Sequence, residues 1–197
     1  MSDPLDAAER RALLSLARAA IVDRMLSDGS LARCRDDVRI TPALEAHRGA
    51  FVTLHVSEPP ESAGTRRLRG CIGTISPHEA LHENVVRNAV HAAFDDPRFP
   101  ALGREECSRL HIEISALTPV EEASDPESIV PGRDGVVLTH PSGSAVFLPQ
   151  VATEQHWGRQ DLLENLAVKA GLPRDAWKEG RIDVFRAEVF AEDDVDR

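Results

Sequence analysis

One segment of the sequence places a thiol among several positive charges; it reads Arg66-Arg67-Leu68-Arg69-Gly70-Cys71-Ile72-Gly73-Thr74. The segment is typical of a β-strand, in which alternate side chains lie on the same face. Regular alternation would place Arg67 and Arg69 on the face of Cys71, and Leu68 and Ile72 against the core. Nearby cations favour the thiolate form of a cysteine. Cys71 is therefore predicted to be a nucleophile or an acid–base group.

The glycines on either side of this cysteine, Gly70 and Gly73, are a second signal. A glycine inside a strand marks a bulge, or a close approach by a ligand or another backbone. Together with Arg69, they are predicted to form part of a substrate-binding site. The alternative is that Cys71 packs inertly, as free cysteines often do, and that the arginines lie on a solvated strand end.

A cleanly alternating stretch, Leu110 to Leu117, predicts another strand with Glu113 and Ser115 on one face. A buried carboxylate requires a partner, because an unpaired buried charge is costly. One hypothesis makes Glu113 a catalytic general base and Ser115 a substrate-binding residue. The alternative is that Arg69 or Arg98 holds Glu113 in a structural ion pair.

Two other segments supply candidate binding residues. Arg98 follows Asp96-Pro97 in a rigid turn, where it would either bind an anionic substrate or tie the turn to a neighbouring aspartate. Gln150 follows the predicted hairpin and would either bind a ligand amide or cap the backbone. His78 and His82 have the spacing of zinc ligands on a helix, but no third ligand accompanies them, so no metal site is predicted.

The remaining pattern predicts elements that would position these groups. Asp3 and Pro4 are expected to start a helix that ends at Asp28-Gly29, and residues 30–49 read as irregular. The other predicted elements are strands 50–56 and 68–75, a helix from the capping box at 76–79 to Asp95, a hairpin of 136–140 and 145–148, a helix over 161–170 and a strand over 182–190. This order predicts an α+β fold with a mainly antiparallel sheet flanked by helices.

Composition narrows the function class. Lys and Arg total 23 against 33 Asp and Glu, a net charge of −10 that disfavours nucleic-acid binding. The three cysteines form no C-x-x-C motif, and neither a signal peptide nor an apolar run long enough to span a membrane is visible. A reduced cytoplasm is the expected location. No phosphate-binding or dinucleotide-binding glycine motif is present, so no cofactor is predicted.

The hexapeptide Leu-Arg-Gly-Cys-Ile-Gly at 68–73 resembles the signature of the AMMECR domain family, also called AmmeMemoRadiSam system protein A. Further stretches resemble the family in the same order, at 49–54, 92–100, 112–117, 132–136, 147–151 and 169–172. The resemblance runs from about residue 10 to 190, so the chain is expected to be a single domain over 1–197 with an acidic tail at 191–197. It implies two unequal lobes with a cleft between them.

The resemblance also implies that the gene lies beside genes for a Memo-like protein and a radical S-adenosylmethionine protein. Two hypotheses follow. The first is an enzyme that binds and transforms a small polar or anionic molecule in a cleft around residues 68–73. The second is a non-catalytic module that docks on those partner proteins.

Overall fold

The chain divides into two compact units in a computed structural model that describes residues 4–57, 66–75 and 78–195. The first unit comprises residues 1–116 and 188–197, and the second comprises residues 117–187. Each unit contains an antiparallel sheet and helices, which confirms the predicted α+β class.

The elements follow one another in the order α1 (Ala7–Leu26), α2 (Ser30–Asp37), α3 (Pro42–Glu45), β1 (Ala50–Ser57), β2 (Arg66–Thr74), α4 (Leu81–Phe94), α5 (Arg104–Cys107), β3 (Leu110–Leu117), β4 (Glu121–Glu122), β5 (Gly135–His140), β6 (Gly143–Phe147), α6 (Pro149–Glu154), α7 (Arg159–Lys169), β7 (Arg181–Phe185), β8 (Ala187–Ala191) and α8 (Glu192–Val195). Short 3₁₀ turns lie at Pro126–Ser128 and Ala176–Lys178.

The sheet of the first unit has the strand order β2-β1-β3-β8, and β1 pairs antiparallel with both β2 and β3. Alternation along β1 and β3 buries one face completely, including Val52, Leu54, Ile112 and Ile114. Helices α1 and α4 pack on that inner face and complete the core. The opposite face, called the outer face here, carries the residues that alternate with them on these strands.

Helix α1 begins later than predicted. Its N-cap is Asp6, whose carboxylate accepts a 2.8 Å hydrogen bond from the Glu9 amide. The Glu9 carboxylate in turn accepts a 2.9 Å hydrogen bond from the Asp6 amide. This reciprocal cap satisfies backbone groups that the first turn leaves open. Pro4 therefore lies outside the helix, and Asp3 lies outside the described residues. The helix ends at Leu26, where Ser27 adopts a left-handed conformation, two residues before the predicted end at Asp28-Gly29.

Helix α4 is confirmed from Leu81 to Phe94, but its start was predicted wrongly. Ser76 and Pro77 of the predicted capping box lie outside the described residues, and His78 precedes the helix, whose N-cap is Ala80. His78 and His82 therefore do not share a helical face. In the described part of the chain, no three His, Cys, Asp or Glu side chains are placed to hold a metal ion.

The second unit has a sheet of order β4-β7-β5-β6, and α7 packs against its hairpin of β5 and β6. Its core includes Val136, Leu138, Leu163 and Leu166. The predicted hairpin and helix are confirmed, and Gly171 ends the helix region with a positive φ of 77°. Only glycine adopts that conformation readily.

Two further sequence predictions were wrong. Residues 30–49 contain α2 and α3. These helices bury few side chains, so their sequence shows no clear apolar period. The single strand predicted over 182–190 is two strands in different sheets, β7 and β8. The change of sheet occurs at Arg186, whose amide and carbonyl both bond to Thr118. The apolar alternation continues across this point, so the pattern alone did not reveal the break.

Candidate functional site

The strand register assembles rows of side chains across the outer face of the first sheet. The row on which the site is built contains Cys71, Thr53 and Glu113, because Thr53 of β1 lies opposite Cys71 of β2 and Glu113 of β3. We call this the thiol row. The rows beside it are Gly73-Phe51-Ser115 on one side and Leu68-His55-His111 on the other. The fold thus places both predicted catalytic residues, Cys71 and Glu113, on one face.

The Cys71 side chain is partly exposed, and it has a polar neighbour. The Thr53 hydroxyl donates a hydrogen bond to the Cys71 Sγ at 3.4 Å. A sulfur that accepts a hydrogen bond at a partly exposed position differs from the buried, inert cysteine of the alternative interpretation. Thr53 was missed from sequence, because its partner across the sheet is distant in the chain.

The backbone of Cys71 is held at the free edge of β2 by the turn that follows α4. Its amide donates to Asp96 Oδ2 at 2.9 Å, and its carbonyl accepts from Arg98 Nη2 at 3.2 Å. Asp96 and Arg98 thereby satisfy the two backbone groups that a further strand would otherwise satisfy. Cys71 is fixed in position by an acid and a base that are themselves paired.

Arg98 pairs with Asp96, the neighbouring aspartate, as one of the two interpretations of that turn expected, and its binding of an anion stays a prediction. Arg98 Nε and Nη2 donate to the two oxygens of Asp96 at 3.0 and 2.7 Å, and the Asp96 side chain is 2% exposed. Arg98, helped by the Cys71 and Arg98 amides, holds the pKa of Asp96 well below its usual range. The hydrogen bond to Asp96 in turn raises the pKa of Arg98. Both groups are charged at neutral pH.

Arg69 does not lie on the face of Cys71 by simple alternation, which corrects the sequence prediction. The pairing passes from Leu54 opposite Gly70 to His55 opposite Leu68, so Arg69 is the extra residue of a β-bulge. A bulge breaks the alternation of the strand. Leu68, predicted to be buried, is 37% exposed for the same reason.

The Arg69 side chain is almost fully buried and makes a two-point ion pair with Glu106 of α5. Its Nε and Nη2 donate to the two Glu106 oxygens, each at 2.9 Å. Arg69 and the Gly103 amide lower the pKa of Glu106 to about 2. Arg67 lies 3.4 Å from the same carboxylate. The two arginines of β2 thus meet at Glu106, and the cation that contacts Cys71 is Arg98.

The two glycines of the segment allow two different close approaches. A Cβ at Gly70 would overlap the Ala92 carbonyl oxygen, so Gly70 lets β2 pack directly on α4. A Cβ at Gly73 would overlap the ring of Phe51, which covers Gly73 on the outer face. The close approach predicted at Gly70 is made by backbone, whereas Gly73 meets an aromatic side chain, and the substrate-binding role of both glycines stays a prediction.

Glu113 lies at the far end of the thiol row. The predicted ion pair with Arg69 or Arg98 is not formed, because those arginines bind Glu106 and Asp96. Within the residues that the structure describes, no side chain makes a hydrogen bond or ion pair with the Glu113 carboxylate. Ser115, two residues along β3, is 2% exposed and faces Phe51. The structural alternative for Glu113 is therefore not observed.

Gln150, the remaining predicted binding residue, belongs to the second unit. It lies in α6, after the β5–β6 hairpin, and is partly buried. Its role as a substrate-binding residue stays a prediction.

Comparison with known proteins identifies the family of this chain. The sequence profile of the AMMECR1 family matches residues 14–190. The chain belongs to the AMMECR1 family. A protein of Thermococcus gammatolerans is 38% identical over 92% of this chain and 89% of its own length. Protein PF1979 of Pyrococcus furiosus is 36% identical over 92% of this chain and 87% of its own length.

A solved AMMECR1 relative supports the fold as well. The crystal structure of the protein PH0010 from Pyrococcus horikoshii superposes with a TM-score of 0.75 at 37% identity, covering 91% of this chain and 89% of that chain. Residues 14–190, which the family profile matches, include the whole thiol row, the Asp96–Arg98 turn and Gln150. No helix in the described ranges has the length and apolar character needed to cross a bilayer.

Proposed function

We propose that this AMMECR1 protein binds a small polar or anionic molecule on the outer face of its first sheet and transforms it with Cys71. The observation that carries this proposal is the thiol row. A partly exposed sulfur accepts the Thr53 hydroxyl bond, and the Glu113 carboxylate stands in the same row. A thiol on the same sheet face as a carboxylate that can move protons provides two of the groups used in covalent catalysis.

The charges around the row indicate the kind of ligand. Arg98 is 54% exposed at its side chain, lies against the Cys71 carbonyl, and is accessible to an anionic group. Arg69 is 3% exposed and bound to Glu106, so its contribution is to fix the bulge of β2. Anion binding therefore falls mainly to Arg98, because Ser115 and Gly73 lie against Phe51 and Gly70 packs on α4.

The partners implied by the family resemblance fit this proposal. A Memo-like protein and a radical S-adenosylmethionine protein would supply the molecule to Cys71 or consume its product. In this scheme the AMMECR1 protein carries out one step on a small molecule that those partners also handle.

A second function, docking without turnover, is favoured by one observation. Both arginines predicted to clamp an anion are already paired, Arg69 with Glu106 and Arg98 with Asp96. Arg98 is held in this way and is 54% exposed, so it presents a fixed cation at the surface, and arginine is enriched among residues that dominate protein interfaces. In that case Cys71 packs beneath the arginines, and the binding partner is one of the two associated proteins.

Capture of metabolites distinguishes the two functions. Wild-type protein, Cys71→Ala and Glu113→Gln are incubated with a cell extract and re-isolated, and the retained small molecules are identified by mass spectrometry. Cys34→Ala is the matched control, because Cys34 lies on α2, away from the row.

We expect a polar or anionic compound on wild type and on Cys34→Ala, with at least tenfold less on the other two variants. Equal retention by all four proteins, or no retained compound together with tight binding of a purified Memo-like or radical S-adenosylmethionine protein, would contradict the enzymatic proposal and support docking.

A further inference from the structure

We propose that His55 is the acid–base partner of Cys71. This inference rests on the proposed function and deepens it, because it identifies the group that takes the thiol proton. The juxtaposition that carries it is the position of His55 on the outer face, diagonal to both Cys71 and Glu113.

The register places His55 next to the thiol row. Cys71 and Glu113 both lie opposite Thr53, and His55 is two positions further along β1 on the same face. Diagonal neighbours of this kind are about 7–8 Å apart at their Cα atoms, which is within reach of an aromatic side chain. The imidazole ring is partly buried, so its interactions with neighbouring charges are not fully screened.

The bulge of β2 removes a positive charge from this neighbourhood. With regular pairing Arg69 would stand opposite His55, and a guanidinium there would oppose a protonated imidazole. The bulge places Leu68 opposite His55 instead, while Arg69 turns to Glu106. β-Bulges recur beside active sites, where they redirect a side chain. In this chain the bulge leaves His55 facing the thiol row without a buried cation opposite it.

The other charged and titratable groups around this position come from β3, α8 and the turn after α4. From β3, Glu113 lies diagonal to His55 and His111 lies directly opposite it. From α8, Asp193 Oδ1 lies 3.4 Å from His111 Nδ1. The same aspartate binds Arg66 at 2.6 Å.

On the side of β2, the backbone of Cys71 is held by the Asp96–Arg98 pair. Glu113 is thus the carboxylate diagonal to His55, and Arg98 is the cation that bonds to the backbone of Cys71.

The proton step is balanced within the pair. The Cys71 thiol gives its proton to a ring nitrogen of His55, which leaves a thiolate and an imidazolium, so the total charge does not change. The thiolate can then form a bond from Sγ to an electrophilic carbon while that carbon loses its leaving group, and the imidazolium can return the proton to the leaving group.

The test is the pH dependence of Cys71 alkylation by iodoacetamide, in which an Sγ–C bond forms and iodide leaves. The reacting protein carries Cys34→Ser and Cys107→Ser, so that Cys71 is its single thiol. Rates are measured from pH 5.5 to 9 for this background, for the background with His55→Gln, and for the background with His111→Gln as the matched control. Thermal melting of each variant establishes that it is folded.

We expect the background and His111→Gln to keep a nearly constant rate down to about pH 6.5. An isolated thiol has a pKa of about 8.5, so its thiolate fraction falls about tenfold per pH unit below that value. His55→Gln should follow that fall and react about tenfold more slowly at pH 6.5, after allowance for the higher nucleophilicity of a more basic thiolate.

The outcomes separate the two proposals. A background protein that already reacts like an isolated thiol would contradict the reactive Cys71 of the proposed function. A background protein that reacts rapidly at pH 6.5, with a folded His55→Gln that reacts equally fast, would overturn the assignment of His55 alone.

Discussion

Asp96 in the first unit and Asp134 in the second are both nearly buried, at 3% and 6% exposure. Each carboxylate binds both Nε and Nη2 of an arginine close in sequence, Arg98 or Arg133. Each also accepts backbone amides, two at Asp96 and one at Asp134. Asp134 accepts the amide of Val130, which closes its own turn, whereas Asp96 accepts the amide of Cys71, 25 positions away.

The same kind of Asp–Arg pair therefore has a different structural role in each unit. In the second unit the Asp–Arg pair stabilises a local turn and can be understood from the turn alone. In the first unit it spans from the end of α4 to the edge of β2 and fixes the residue on which the proposed chemistry depends. The comparison predicts that equal changes at the two aspartates will have equal effects on stability and unequal effects on the thiol.

The largest effect is expected from Asp96→Ala. Removal of a buried carboxylate that binds an arginine and an amide should lower the free energy of unfolding by about 3 kcal/mol. Asp134→Ala should cost a similar amount, because it loses the same two-point arginine pair, with one backbone amide fewer and a second arginine, Arg186, 3.6 Å away. Only Asp96→Ala should change the alkylation rate of Cys71, by severalfold. The alkylation rate and the urea unfolding curve are measured in parallel for both variants.

Asp96→Asn keeps the shape of the side chain, and it replaces Asp96→Ala in this test if the alanine variant does not fold. Its oxygen can still accept the Cys71 amide, but its NH₂ group meets the donors of Arg98, so a smaller loss is expected. A change of Cys71 reactivity in the Asp134 variant equal to that in the Asp96 variant would break the comparison.

Glycines in the two units allow a second, smaller contrast. Gly70→Ala places a methyl group on the Ala92 carbonyl oxygen, so β2 and α4 must separate, at a cost of about 2–3 kcal/mol. Gly132→Ala, in the turn that contains Asp134, forces alanine into a φ of 84° and costs about 1 kcal/mol. Thermal melting of both variants measures the difference, and a costlier Gly132 variant would contradict the close packing of β2 on α4.

These contrasts also show how far the sequence alone could lead. The strands β1 and β3 and the helix α4 were predictable because their apolar residues repeat with a clear period. The outer face could be assigned on β3 for the same reason. A local pattern therefore suffices where one face of an element is buried against the core.

The rest depends on contacts between distant residues. The bulge at Arg69 follows from packing of Gly70 on α4 and from the ion pair with Glu106, and neither appears in the local pattern. Thr53 and His55 had no signal of their own, since only the register with β2 and β3 brings them beside Cys71 and Glu113.

A third prediction concerns acid stability. The pKa of Glu106 is lowered to about 2 by Arg69, so its contribution to folding is complete above the ordinary pKa of about 4.5 and is lost as the pH falls toward 2. Wild type should therefore exceed Glu106→Gln in stability by about 1–2 kcal/mol at neutral pH, because solvent screens this partly exposed pair. The gap should narrow below pH 4.5 and close near pH 2.

Urea midpoints at pH 7, 4.5 and 3 measure this gap, and Glu105→Gln is the control because that neighbouring side chain is exposed. A gap that stays constant with pH would show that Glu106 stabilises the fold by packing and not by its charge.

The smallest effect on stability is expected from the arginines of the two compared pairs. Arg98 and Arg133 are 54% and 48% exposed, but their aspartate partners are nearly buried, so removal of either arginine leaves a buried carboxylate without its two-point partner. Arg98→Ala and Arg133→Ala should each lower the free energy of unfolding by about 1 kcal/mol, because backbone amides still bind the carboxylate. Arg98→Ala alone should slow the alkylation of Cys71 at pH 7, by about twofold, because it removes the cation that bonds to the Cys71 carbonyl. Equal alkylation rates in the two variants would mean that the turn after α4 holds the backbone of β2 without acting on the sulfur, and that the two Asp–Arg pairs differ only in the length of chain they span.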